Sequence, residues 1–287
     1  TPLMLAARKN TNPEVVTLLL KAGAKIGEKT ESGWTPLMVA ASENTNPEII
    51  TLLLEAGANI EAMRENGATP LILAARKNTN AGVVSALIKA GAKLETRGQD
   101  GWTPLMLAAE KNTNPEIVSV LIKAGAKLET RDEDGWTPLM HASRHTDNPE
   151  TITRLLEAGA NLEAMHENGA TPLIYAARSN TNAEVVSILI AAGAEVNRTI
   201  SKTGWTPLML AARYNTNPEV VSALINAGAK LEDLNTKNET PLMLAARYTD
   251  NPEVISVFIT AGANTKAKDN NGTTVLYFAK QNNDINN

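Results

Sequence analysis

Apolar residues fall along this chain in two alternating kinds of run, separated by polar stretches of nearly constant length. One kind is short and alanine-rich, as in Leu37-Met38-Val39-Ala40-Ala41; the other uses branched residues, as in Ile49, Ile50, Leu52, Leu53 and Leu54. The second spacing lays its side chains along one helical stripe. Thr35 before Pro36 reads as an N-cap followed by proline at the first helical position, where the missing N–H costs nothing. Asn46 before Pro47-Glu48 repeats that signal for a second helix. Asn44-Thr45-Asn46 breaks the first helix, and Gly57 supplies the left-handed residue that ends the second. Asn66-Gly67, in the polar stretch that follows, is a hairpin signal. The pattern predicts helix, turn, helix, hairpin.

The same order recurs. Thr-Pro-Leu begins at Thr1, Thr35, Thr69, Thr103, Thr137, Thr171, Thr206 and Thr240, in steps of 34 residues with a single step of 35, and Thr274-Val275-Leu276 keeps the period. A unit of this size cannot bury both of its apolar stripes alone, so stability must come from stacking on neighbours. The expected fold is an all-α repeat solenoid, a single array over residues 1–287. Its units start near 1, 35, 69, 103, 137, 171, 206 and 240, with a partial capping unit at 274–287. The polar run Lys280-Gln281-Asn282-Asn283-Asp284 reads as a solvated cap. No matching cap or finger precedes Thr1, which predicts a fragment of a longer array. Ile72 and Ile174, Ala81 and Ala183, Met63 and Met165, and the order Trp34, Ala68, Trp102 against Trp136, Ala170, Trp205 point to a duplicated three-unit block, roughly 35–136 onto 137–238. That predicts two similar surface patches.

The helix-turn-helix-hairpin unit, with Thr-Pro-Leu and a double alanine in its first helix and Gly-Ala after the second, resembles the ankyrin repeat over the whole chain. Two departures stand out. Met or Ile follows Thr-Pro-Leu where the family usually has His, so the bonds that His makes must be replaced or absent. The inter-helix loop is Asn-Thr-Asn-Pro, which accounts for the extra residue per unit. The resemblance implies stacked helix pairs with β-hairpin or loop fingers, and a partner held in a concave groove lined by first helices and finger tips.

Composition narrows the chemistry. Aromatic residues make up only 3% of the chain, which suits many thin layers better than one large core. The formal net charge of -4 argues against a strongly basic nucleic-acid binder, and the absence of cysteine excludes disulfides and thiol chemistry. No run is long enough to span a membrane. No signal peptide and no cysteine favour an intracellular setting. His141 and His145 lie four apart on one helix, yet no third ligand stands beside them, and one packed and one surface histidine is the better reading. No phosphate loop, acid/base pair or activated nucleophile is visible, so no enzyme and no cofactor is expected.

Carried over from the family, the contact candidates are the residue before Thr, the pair after the double alanine, and the finger tips. They are Trp34, Trp102, Trp136 and Trp205; Arg144, His145, Arg178, Arg213, Tyr214, Arg247 and Tyr248; Met63 and Met165; with Tyr175 adding aromatic character to the C-terminal half. Tryptophan is enriched among binding hot spots, but a tryptophan here can equally lie flat on the next finger. The basic first-helix ends would favour an acidic or phosphorylated peptide through arginine forks. The expectation is a scaffold for protein or peptide, monomeric or part of a longer chain. Nucleic-acid binding through the Arg/Tyr stripe, and a structural or designed array without a dedicated ligand, stay open as alternatives.

Overall fold

The computed structural model describes residues 1–285, and side chains through residue 282. The part of the expected cap that falls on the side chains of Asn283 and Asp284 lies outside the described residues. The chain divides into two compact units, Thr1–Pro138 with Glu157–Ala160, and Leu139–Leu156 with Asn161–Asn287. The first contains α1 (Pro2–Lys9), α2 (Pro13–Lys21), α3 (Pro36–Glu43), α4 (Pro47–Glu55), α5 (Pro70–Lys77), α6 (Ala81–Lys89), α7 (Pro104–Lys111) and α8 (Pro115–Lys123). Then come α9 (Pro138–His145), α10 (Pro149–Glu157), α11 (Pro172–Ser179), α12 (Ala183–Ala191), α13 (Pro207–Tyr214), α14 (Pro218–Asn226), α15 (Pro241–Tyr248), α16 (Pro252–Thr260) and α17 (Val275–Ile285). Each unit is a stack of helix-turn-helix repeats. In the first unit α1, α3, α5 and α7 pack in sequence, and α2, α4, α6 and α8 do likewise; in the second, α11, α13, α15 and α17 repeat the arrangement beside α12, α14 and α16.

Helices of eight or nine residues are too short to be stable alone in water. Their ends are therefore closed with care. The Thr35 hydroxyl accepts the Met38 N–H at 3.2 Å, and the Asn46 carboxamide oxygen accepts the Glu48 N–H at 2.9 Å. Gly57, at φ 90°, lets the Ala58 N–H return to the Leu53 carbonyl. The methionine that stands where the family has histidine takes over part of that role: the Met106 and Met243 sulfurs accept the Thr103 and Thr240 N–H groups at 3.4 and 3.5 Å. Sulfur is a weak acceptor, so the replacement is a soft one.

The core is thin and regular. Leu37, Met38, Ala40 and Ala41 from α3 and Ile49, Ile50 and Leu53 from α4 are fully buried, and equivalent residues repeat in the neighbouring pairs. Paired alanines let the first helices approach closely.

The loop asparagines do more than break a helix. Asn78 is buried, and its side-chain amide donates to the Ala41 carbonyl at 2.9 Å and the Asn44 carbonyl at 2.8 Å, both in the preceding repeat. Asn44 and Asn112 make the same pair of bonds in the first unit, and Asn180 and Asn215 in the second. Ala41 lies in the last turn of α3, so one of the carbonyls left over at that helix end is satisfied by the next repeat. A second row runs outside the first: Asn80 donates to the Thr45 carbonyl at 2.6 Å. Thr146 and Thr249 replace the inner asparagine in two repeats. They keep the local bond from the N–H two residues on, but a hydroxyl has one proton and cannot donate twice.

Of the hairpin or loop fingers expected, the structure shows the loop form. Among the described residues the only bridges are the isolated Ile200–Trp205 and Lys268–Thr274 contacts. A typical finger closes on two backbone bonds, Arg64 N–H to the Ala68 carbonyl at 3.1 Å and Gly67 N–H to the Arg64 carbonyl at 2.9 Å, with Gly67 at φ 75°. Five residues form the whole turn, which leaves no length for a ladder. At Gly67 a Cβ would lie 3.0 Å from the Gly98 Cα of the next finger, so glycine is required by proximity as well as by φ.

The inner asparagines should therefore carry more stability than the outer ones. Asn78→Ala removes two buried donors and is expected to cost about 2–3 kcal/mol, whereas Asn80→Ala, mainly a cap, should cost about 1 kcal/mol. Urea denaturation followed by circular dichroism measures both; equal losses would contradict the assignment.

Candidate binding faces on the first helices and fingers

In the first unit the ends of α5 and α7 and the fingers beside them enclose a cleft of about 240 Å³, lined among others by Arg64, Leu73, Arg76, Trp102, Leu107 and Lys111. Trp34 is half-buried and packs against the cluster of Met38, Ala62, Ala68, Ile72 and Leu73. Its outer face is covered by the Arg64 guanidinium, 4.8 Å from the ring centroid. Trp34 is thus partly a packing residue. Trp102 and Trp136 are half-buried, and Met63 and Met165 are about half exposed on the fingers.

Part of the charge on this face is spent internally. Arg8 grips Glu43 through two bonds of 2.6 and 2.9 Å, and the guanidinium holds the Glu43 carboxyl below its usual range. Lys111 pairs with Glu110 at 2.6 Å.

The second unit is built differently. Arg178 lies 4.8 Å over Tyr214; Arg213 lies 4.1 Å over Tyr248, 4.8 Å from Tyr214 and 5.4 Å from Trp205; Arg247 lies 5.1 Å from Tyr248 and 5.2 Å from Phe278. Each arginine rests on an aromatic ring of the following repeat. Such contacts contribute about 0.5–1 kcal/mol each at exposed sites, and they hold long side chains that would otherwise be disordered by rotamer entropy. Tyr214 and Tyr248 stay 44% and 37% exposed, so the row faces solvent. The Arg213 Nε is buried without a hydrogen-bond partner, and among the described residues neither Arg178 nor Arg213 has a carboxylate partner.

Other sequence candidates fall outside this row. Tyr175 is buried, edge-on to His166 at 6.2 Å, and lies beneath the face rather than on it. Arg144 is half-buried and His145 exposed at the end of α9, while His141 is buried in that helix. Among the described residues no group of His, Cys, Asp or Glu could hold a metal ion, and no helix is long and apolar enough to cross a membrane.

Reasoning from the motif missed Glu239. It stands in the register of the tryptophans, is buried, pairs with Arg247 at 3.2 Å and accepts a bond of 2.8 Å from the Asn235 amide. The signal was present as the first acid in the position before Thr. Also missed was a switch of charge between the two similar blocks: Glu110 and Asp134 correspond to Arg213 and Lys237. The two patches expected to be alike therefore carry opposite charge at two matched positions.

Burial pushes the Tyr175 phenol above its ordinary range, because the buried site disfavours the phenolate. The folded pKa exceeds the unfolded one, so the stabilisation is complete below the unfolded value and is lost as pH rises through the folded value. Spectrophotometric titration of wild type and Tyr175→Phe should show that the variant lacks the highest tyrosine transition; loss of an ordinary one would contradict this.

Comparison with known proteins agrees with this architecture. The family described as ankyrin repeats (3 copies) matches residues 3–98, 77–166, 145–235 and 208–287. Among solved structures, the crystal structure of the human ASB11 ankyrin repeat domain superposes with a TM-score of 0.69 at 26% sequence identity, covering 80% of this chain and 99% of that one. A search of curated proteins finds no match. Repeats of this family generally mediate protein–protein interaction and are generally non-enzymatic. Helix pairs of this length, stacked in a 34-residue register and matched by the family along almost all of the chain, show that the protein belongs to the ankyrin-repeat family.

Proposed function

We propose that the chain is a protein-interaction module whose second unit holds an acidic segment of a partner against the ends of α11, α13 and α15 and the fingers beside them. The observation that carries this is Arg213, braced by three aromatic rings and, among the described residues, without a carboxylate partner. Stacking occupies the guanidinium faces and buries the Nε, which leaves the terminal Nη donors for an anion such as a carboxylate. Lys202 and Lys237, exposed on the adjacent fingers, add positive charge. The tryptophan series contributes unequally. Trp205 joins the arginine row, while Trp34 serves its own unit by packing.

A random peptide library selected on the whole chain tests the reading. Selected peptides should bind Arg213→Ala and Tyr248→Ala at least tenfold more weakly, and should bind Glu219→Ala, altered on an exposed second-helix residue, within about twofold of wild type; this expects one charged hydrogen-bonded contact to be lost. Peptides indifferent to both face variants would sink it. Binders selected equally well by any polyanion, and released by modest salt, would favour nucleic acid instead.

A further inference from the structure

The three arginines of the second unit lie in one row but are not equivalent. The guanidinium carbons of Arg178 and Arg213 are each 4.8 Å from the same Tyr214 centroid, so they can be no farther apart than twice that distance. Stacked helices pack about 8–10 Å apart, which sets the step from one repeat to the next. The row therefore offers forks at about the helix step of 8–10 Å, with twice 4.8 Å as the upper limit between Arg178 and Arg213. Each repeat supplies one fork and one positive charge.

That interval selects the conformation of what binds. In a polyproline-II segment every third residue returns to the same edge after about 9 Å, which fits. Same-side residues of a β-strand recur after about 7 Å, which falls short of the repeat step. A helix brings a residue back to one face after seven positions, about 10.5 Å, which exceeds the limit set by Tyr214. The single charge per fork selects the group: a carboxylate matches one guanidinium, whereas a phosphate dianion would be left half neutralised.

The third fork is closed. The Glu239 carboxylate sits 3.2 Å from Arg247, is buried, and is fixed by the Asn235 amide at 2.8 Å. Resting on the reading above, we propose that the second unit recognises an extended partner segment with two Asp or Glu residues three positions apart. One carboxylate sits on Arg178 and the other on Arg213, and Glu239 ends the row by occupying Arg247 from within.

The test uses labelled synthetic peptides of a neutral Ala/Pro scaffold, titrated into the whole chain by fluorescence anisotropy at two salt concentrations. Glu at i and i+3 should bind about tenfold tighter than Glu at i and i+2, than a helical scaffold with Glu at i and i+7, and than the Gln control. Phosphoserine at the same two positions should gain no more than its extra charge explains, judged by salt dependence. Arg178→Ala and Arg213→Ala should each lose about tenfold. A third Glu at i+6 should add nothing in wild type and several-fold in Glu239→Gln, which keeps a side chain able to bond Asn235. Circular dichroism of every variant must match wild type.

Equal affinity for all spacings, a preference for the i+7 helix or the phosphopeptide, or a gain from the third Glu in wild type would overturn the proposal. Library peptides that depend on Arg213 without acids three apart would remove this inference alone. If no peptide of either set responds to Arg213, the reading beneath it falls as well.

Discussion

Everything in this fold depends on a debt left at the end of each first helix. Eight residues make barely two turns, and the last carbonyls of such a helix have no partner within it. The next repeat supplies one. The buried amides of Asn44, Asn78 and Asn112, and separately of Asn180 and Asn215, reach back to a carbonyl in the preceding helix and another in its loop. The bond is made across the repeat boundary, so helix formation and stacking are one event. A buried carbonyl left unmet costs more than a typical bond contributes, which makes the register between repeats strict.

Strict register is also what makes a surface. Once an asparagine fixes one repeat on the last, the residues that follow the double alanine fall into a row. In the first unit part of that row is taken up by internal pairs, Arg8 with Glu43 and Lys111 with Glu110. In the second it is built from arginines lying on tyrosines one repeat ahead, and charge has changed sign from Glu110 to Arg213 and from Asp134 to Lys237. Two blocks of similar sequence and the same fold thus present different chemistry. The difference lies in a few positions on the first-helix ends and fingers.

Much of this was legible before any coordinates. Thr-Pro and Asn-Pro mark helix starts because capping and proline geometry are local, and the 34-residue period is a matter of counting. What could not be read crosses between repeats. Asn44-Thr45-Asn46 looks like a helix breaker when one unit is considered alone; its role as a donor to another repeat needs the stack. Arg213 looks like any exposed cation until Tyr248 is placed beneath it. Tyr175 looks like a member of the face, but its position, equivalent to the buried Leu73, points it into the layer. The fingers read as hairpins because Asn-Gly is a turn signal, yet the turn consumes the whole segment.

Inner asparagines bind across repeats, while outer ones mainly cap. Hydrogen exchange of the asparagine side-chain amides, resolved by NMR, measures this directly. The Nδ2 protons of Asn78 and Asn215 are predicted to exchange far more slowly than those of Asn80 and Asn217. Exchange of both sets at the same rate would contradict it.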